Sequence, residues 1–579
     1  MKTPQDPRDA TQVGHRAHAA GHDLQSYRVG MLPILNRIIE RLRLAEFLRA
    51  YLPPQDRRCR IDPATALLVL LKNLLLSREP LYGVGEWASR YAPDLLDLSE
   101  EQIASLNDDR VGRCLDQLFQ NDCGSLALTV ATHAIAEFGV QLDQLHNDST
   151  TITFHGDYAD AVHEQQRKQQ TRLAITWGHN KDHRPDLKQL LFILTVSKDG
   201  GIPVYFQAKS GNTADDQTHR ATWDLLCTLT QRRDFLYVAD CKLATSENMA
   251  HLHQHGGRFL TLIPRTRSED RLFRESLSRG QIRWRPIYDK LDEAGEIIDE
   301  FSVSEEPMLS AEGYRLLWYY STRKAQNDAA ARALQVDRAL KELAELQQKL
   351  AAPRTRYHEQ AKVVAAVEAI VESRGVSRWI TTTIEEREVE KYHQESRGRP
   401  SENTRYIKDV STRFSLRCEL NHAVLATEHL GDGVFPLITN DLTLTEQELL
   451  LAYKGQAVIE KRFAQLKTDF SVAPVYLKEV SRIQALLCMY FLALLVESLL
   501  ERELRQGMVR RKVESLRLYP EGRGCRLPTV PRLIEVFADL QRHRLKVGTE
   551  PEVMFTTKLS PLQRKVLRVL NIPQSVYDA

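Results

Sequence analysis

Cysteine is sparse in this sequence and never closely paired: eight residues in 579, with no Cys-x-x-Cys. That argues against a disulfide framework or a zinc ribbon and suits a reducing, cytoplasmic setting. Charge excess is equally small, a net +2 from 79 basic and 77 acidic residues. Nothing in the whole-chain charge points to nucleic acid, so any such surface has to be local. A phosphate-binding loop with its Lys-Ser/Thr is missing, and Gly431–Gly433 reads as a turn, so no nucleotide cofactor is expected. The opening residues, MKTPQDPRDATQVGHRAH, contain no apolar signal core. The longest apolar run, Ala485–Val496, is short for a bilayer and reads as a buried helix, so no membrane is expected either. His251, His253 and His255 lack the acid or cysteine partner of a zinc site. Cys241 reads as packing.

What is present is ample apolar material, 42% of the chain, enough for the cores of three or four units. Residues 1–27 read as a flexible tail. Residues 28–140 carry helical periodicity, with Asp62-Pro63 as a helix start and a basic stretch from Arg41 to Arg60. At Leu142 the texture changes. LHNDSTTITF is β-branched, and QLLFILTVSKDGGIPVYFQAKSG holds two strands joined at Asp199-Gly200-Gly201. A helix over 214–231, the short strand FLYVAD, a helix over 246–255 and the strand RFLTLIPR follow. Three antiparallel strands, then helix, strand, helix, strand, predict an α/β sheet over 141–265. Residues 266–432 break the alternation and read as an insertion. It mixes short strands with an Ala/Leu/Lys/Glu-rich helical stretch interrupted at Pro353. The strand GVFPLITN resumes the core over 433–500, and Thr445 with Glu448 forms a capping box. Residues 501–579 read as a helical, basic C-terminal region; between Glu501 and Lys546 stand twelve Lys/Arg and six Asp/Glu.

Three acids draw attention. Asp148 lies inside the first strand. Asp240 ends a short apolar strand, at the carboxyl end where α/β sheets gather their sites. Either has an ordinary explanation, as an edge-strand polar position or a cap for the next helix. Glu460 belongs to the stretch YKGQAVIEKRFAQLK, in which Tyr453, Gln456, Glu460 and Lys467 fall within an arc of about 60° on an ideal α-helix. The apolar stripe Ile459, Phe463, Leu466 and Phe470 lies about 80° away, so the polar stripe borders the packed face. If the first and fourth strands are neighbours, a helix across them brings Glu460 to both aspartates. Three carboxylates at one point repel and require cations. Oxygen-only ligands suit Mg²⁺, with Mn²⁺ as a substitute, and two such ions about 4 Å apart make a clamp for phosphodiester displacement.

This arrangement resembles the DDE transposases of bacterial insertion sequences, whose core is RNase H-like. The stretch from Tyr453 resembles the Tyr-x2-Arg-x3-Glu-x6-Lys signature of one branch, matched at Tyr453, Glu460 and Lys467; Gln456 stands where the branch has Arg. GHNKDHRPDLKQ and GNTAD fit the same group. The resemblance implies an α/β fold, an RNase H-like mixed sheet flanked by helices, interrupted by a β/helical insertion and preceded by an all-helical DNA-binding domain. It implies that Asp148, Asp240 and Glu460 are catalytic and hold Mg²⁺, while Tyr453, Gln456 and Lys467 contact DNA phosphates. Its implied partners are the terminal inverted repeats and target DNA, engaged by a homodimer. The implied activity is cleavage of the ends and joining of their 3′-hydroxyls to target DNA. A nuclease without strand transfer, and an inactive DNA-binding protein, remain open as alternatives.

Overall fold

A computed structural model describes residues 17–19, 22–53, 60–167, 170–292, 294–306, 308–470, 472, 477–548 and 551–578. Two compact units divide the chain, Met1–Thr261 with Leu450–Ala579, and Leu262–Leu449. The expected insertion ran from 266 to 432; the second unit extends to 449 because the strand Val434–Thr439 pairs antiparallel along Arg315–Ser321.

The first unit is built on five strands: Gln144–Phe154, Lys188–Ser197, Pro203–Ser210, Leu236–Ala239 and Arg258–Leu262. The first three form an antiparallel meander, and the last two run parallel to the first. The spatial order is fifth, fourth, first, second, third, so the strands that carry Asp148 and precede Asp240 are central neighbours. Lys188–Ser197 is buried at every position, which accounts for its unbroken apolar reading in place of an alternating one. The helical region from Leu32 to Phe138 precedes this sheet. The architecture is an RNase H-like fold with a preceding helical region.

One helix, Val480–Arg510, organises the packing. It is long and apolar enough to cross a membrane, longer than its apolar run suggests, yet 94% of its most apolar window is buried inside the protein. It packs on the helices Pro63–Leu76, Asp108–Gln120 and Cys123–Phe138. Every residue from Pro63 to Leu75 is buried, so that helix is apolar all round for a reason. A single apolar core runs from Val29 to Tyr577 and includes sheet residues such as Phe192 and Phe206. The helical region therefore shares its core with the sheet.

Both ends of the expected organisation need correction. Residues 22–27, read as part of the flexible tail, belong to the strand His22–Arg28, which pairs with Gln541–Val547 over its whole length. The C-terminal region, expected to be helical, contributes that strand and a second, Val553–Thr556. A partner more than 500 residues away leaves no local signal in either segment.

In the second unit, Trp284–Leu291, Ile297–Ser304, Arg315–Ser321 and Val434–Thr439 pair successively antiparallel. The helical stretch is two helices, Thr322–Ala351 and Gln360–Ser373, separated around Pro353. Together with a long two-stranded ribbon they form a separate apolar cluster. Thr445 and Glu448 do form a capping box: Glu448 N–H donates to Thr445 Oγ1 at 3.2 Å, and Thr445 N–H donates to Glu448 Oε2 at 2.8 Å.

Candidate functional site

The pairing of the first and fourth strands ends at Asn147 beside Ala239. The next residue on each is an aspartate. Parallel neighbours lie about 4.8 Å apart with side chains on a common face, so Asp148 and Asp240 stand side by side. Asp240 also caps the following turn, its Oδ1 accepting from Lys242 N–H at 3.1 Å; the site and the cap coincide. Asp148 is 21% exposed. Burial raises its carboxyl to about 6; Lys181 opposes that shift and Asp240 adds to it.

Lys181 is the main feature that the sequence reading missed. Its ammonium lies 3.3 Å from Asp148 Oδ1 and 3.2 Å from Asp215 Oδ2, and it donates to Ser149 O and Ser149 Oγ at 2.7 Å each. Burial works against its charge, but Asp148, Asp215 and Asp240 more than compensate, and its pKa is raised. Lys181 comes from GHNKDHRPDLKQ, and Asp215 is the last residue of GNTAD. Two glycines bring these loops together. A Cβ on Gly178 would sit 1.9 Å from Gly211 O, and one on Gly211 would sit 2.2 Å from Gln189 O. Only bare backbone fits that closely. Asn180 Oδ1 accepts from Asp182 N–H at 2.8 Å and fixes the loop beyond the contact. The two motifs were visible in the sequence; their meeting point was not.

The stretch from Tyr453 does not form the continuous helix on which its polar stripe was drawn. Glu446–Lys454 is one helix, Ala457–Ala464 a second, and Gln465–Asp469 a π-helical turn. The break falls at Gly455, where a Cβ would press on the His146 ring at 3.0 Å. The four stripe residues accordingly differ in environment. Tyr453 is half-buried; burial raises its phenol well above the ordinary value, with Asp240, Cys241, Glu460 and Asp148 adding to the shift. Glu460 is exposed, one turn along the second helix. Lys467 Nζ is paired with Asp182 Oδ1 at 2.5 Å.

Gln456 is buried, and both ends of its amide are engaged within the protein. It is 8% exposed. Its Oε1 meets His146 Nδ1 at 2.9 Å, and its Nε2 donates to Asn147 O at 3.2 Å. Both ends of the amide serve to fasten the helix to the strand that carries Asp148. Burial lowers His146 to about 4, despite the bond to Gln456, so the ring is neutral at neutral pH.

The helix bearing Glu460 is held from its other side by a buried ionic cluster. Arg462 donates to Gly200 O at 2.7 Å, Gly201 O at 2.8 Å and Gln465 Oε1 at 2.6 Å, and lies 3.3 Å from Glu501 Oε2. Glu501 is fully buried and also pairs with Lys461 at 3.0 Å and Arg505 at 3.2 Å. The cluster ties the Ser197–Pro203 turn, the Glu460 helix and the central helix together.

The structure thus brings Asp148 and Asp240 together and leaves Glu460 nearby. Among the described residues, no three or more His, Cys, Asp or Glu side chains are grouped closely enough to hold a metal ion. The donors that do meet are oxygen-only, and an ammonium lies against Asp148, marking the spot as one that accepts a cation. Two carboxylates suffice for an ion that keeps waters and takes its remaining ligands from a phosphate.

The helical region was expected to bind DNA through Arg41–Arg60. Arg41 pairs with Glu137 and Glu503 at 3.0 Å each, Arg43 with Glu46, and Arg49 with Asp62 at 3.1 Å. Residues 54–59 of that stretch lie outside the described residues. In the C-terminal region Arg542 pairs with Asp94 at 2.7 Å and Arg544 with Glu100 at 3.1 Å. Much of the local basic charge is used internally.

The family described as transposase DDE domain matches residues 143–496, more than half of the chain. The chain belongs to that family. The matched range contains both aspartates, Lys181 and Glu460. A domain of unknown function, DUF4277, matches residues 24–132, the helical region. Together the two domains indicate a DDE-superfamily transposase of the insertion-sequence type. Comparison with curated proteins gave no match. Among solved structures, the chain is similar to one titled a piggyBac transposase synaptic complex with hairpin DNA. The identity is 10%, the TM-score 0.23, and the likeness covers 49% of this chain and 62% of that one.

Proposed function

We propose that this DDE-family protein binds the terminal inverted repeats of its own insertion sequence as a homodimer, cleaves the DNA there and joins the 3′-hydroxyl ends to target DNA in the cytoplasm. The adjacency of Asp148, inside its strand, and Asp240, at the carboxyl end of the neighbouring parallel strand, carries this reading. The two aspartates would hold Mg²⁺, or Mn²⁺ in its place, and Glu460 would join them once DNA is bound. The divalent ions would supply charge stabilisation at the scissile phosphate and an activated oxygen nucleophile.

The chain's own groups would orient the DNA. Lys181 would move from Asp148 toward a phosphate oxygen, exchanging one anionic partner for another. Lys467 would leave Asp182 to grip the backbone as a point charge. The neutral Tyr453 phenol would donate to a phosphate oxygen. Gln456 and His146 would hold the Glu460 helix on the sheet, a positioning role in place of the phosphate contact read from the sequence.

Strand-transfer assay separates this reading from a purely hydrolytic nuclease. DNA carrying the sequences that flank the coding region is incubated with protein, Mg²⁺ and a target plasmid. Covalent joining of the flank ends to the plasmid is the expected result. Nicked ends that never join would leave the nuclease reading, and binding without any nick would leave the inactive one.

A further inference from the structure

The second unit carries an element whose outer half its own core does not use. Ile380–Gln394 and Tyr406–Leu420 pair without interruption from Ile380 beside Leu420 to Gln394 beside Tyr406. At ~3.3 Å per residue the ribbon is about 50 Å long. Its inner end is seated: Ile380, Phe414 and Leu416 belong to the cluster formed with the two helices. The seat ends at Arg413, whose guanidinium donates to Ala352 O at 2.7 Å and Pro353 O at 2.8 Å, where the long helix stops. Beyond that point, from Glu388 beside Thr412 outward, no strand residue is buried.

Charge is sorted along the ribbon. The stem has Glu385, Glu386, Glu388 and Glu390 against Arg387. The outer part, residues 391–408, has Lys391, Arg397, Arg399, Arg405 and Lys408 against Glu395 and Glu402, a local +3. Lys408 pairs back to Glu390 at 2.6 Å. Arg397, Arg399 and Arg405 are exposed and have no ion pair among the described residues. Tyr392 and Tyr406 share one face of the tip, with Lys408 opposite Tyr392, and are 62% and 55% exposed.

We infer that this ribbon is a DNA-contacting arm, on the transposase reading given above. A two-stranded ribbon fits the major groove, about 12 Å wide. Arg397, Arg399 and Arg405 flank the turn and meet phosphates on the groove walls. Tyr392 and Tyr406 lie against sugars and base edges. The acidic stem is repelled by the backbone, so the tip enters and the stem stays clear. The combination of unpaired arginines and exposed rings on a projecting element suits a polyanion with stackable groups, and the elevated charge at the tip alone gives the arm a direction.

The test uses the full chain with all three arginines replaced together, Arg397→Ser, Arg399→Ser and Arg405→Ser, and separately with Tyr392→Ser and Tyr406→Ser. Thermal melting should match wild type, because every replaced side chain is exposed. Binding of a labelled duplex from the element flank is followed by anisotropy across a salt series. Three lost phosphate contacts should flatten the slope of log affinity against log salt by about 2 to 3 and weaken binding tenfold or more at 0.1 M salt. The tyrosine variant should weaken binding with the slope kept. Wild-type affinity and slope in the arginine variant would overturn the arm. A change in the solution mass of the variant with unchanged DNA binding would assign the ribbon to self-association instead. If wild type itself binds no duplex, the transposase reading falls together with the arm.

Discussion

Asp148→Asn should make the metal-free protein more stable at neutral pH. The structure gives the magnitude. Burial raises the Asp148 carboxyl to about 6 from its ordinary 3.8, and that gap corresponds to about 3 kcal/mol. The figure already contains the attraction to Lys181. The sign follows from the direction of the shift. A carboxyl with a raised folded-state pKa makes the folded state the better proton binder. Stability is therefore highest below 3.8, falls as pH rises between 3.8 and 6, and above about 7 the full cost is present. Asparagine mimics the protonated form and removes the cost. Denaturant titration at pH 7.5 in chelator should show a gain of up to about 3 kcal/mol, and the melting midpoint should rise by several degrees. The gain should shrink to about half at pH 5. Added Mg²⁺ should stabilise wild type and do little for the variant, since one of two adjoining carboxylates is gone. A variant that is less stable than wild type in chelator at pH 7.5, while still folded, would refute the claim that this carboxylate is held against its solvation preference.

Lys181→Met removes the cation beside Asp148, so divalent affinity in the absence of DNA should rise by about tenfold; a Mn²⁺ titration by electron paramagnetic resonance that shows unchanged affinity would rule out competition for the site. Arg462→Met strips one partner from the fully buried Glu501 and should cost about 3 kcal/mol in chemical denaturation. A loss under about 1 kcal/mol would mean that Lys461 and Arg505 suffice. Glu460→Gln should leave metal-free stability unchanged, because Glu460 is exposed, yet reduce nicking of flank DNA at least a hundredfold. Wild-type nicking by that variant would make Glu460 a surface residue only.

The core strands were legible because their chemistry is local. LHNDSTTITF and QLLFILTVS are rich in β-branched and apolar residues, and the Gly200-Gly201 turn declares its hairpin. Asp148 and Asp240 were legible for the same reason, since an acid inside a β-branched strand and an acid at the carboxyl end of a short apolar strand can both be read without knowing the neighbours. The helix of Glu460 was misdrawn because a wheel assumes one axis. Gly455 is there for close approach to His146, and the axis breaks at that contact. Gln456 read as a phosphate-contacting amide at the border of the packed face and is buried in the fold, bonded to His146 and to Asn147 O. Lys181 sits in a loop and Asp215 opens a single 3-10 turn, both too short for periodicity. Their roles arise only where Gly178 and Gly211 let two backbones touch. The strand at His22–Arg28 and the anion-paired arginines between Arg41 and Arg544 depend on partners far along the chain, which composition and spacing do not record.

The central claim is that the aspartate pair on neighbouring strands performs DNA cleavage. Asp240→Asn tests it most directly, because the amide oxygen can keep the cap hydrogen bond that Lys242 N–H donates. Labelled flank DNA is incubated with wild-type or variant protein in Mg²⁺, and the release of 3′-hydroxyl ends is followed alongside a binding assay on the same DNA. The account predicts wild-type nicking, at least a hundredfold loss in the variant, and unchanged or tighter DNA binding. Equal nicking by the variant would contradict it.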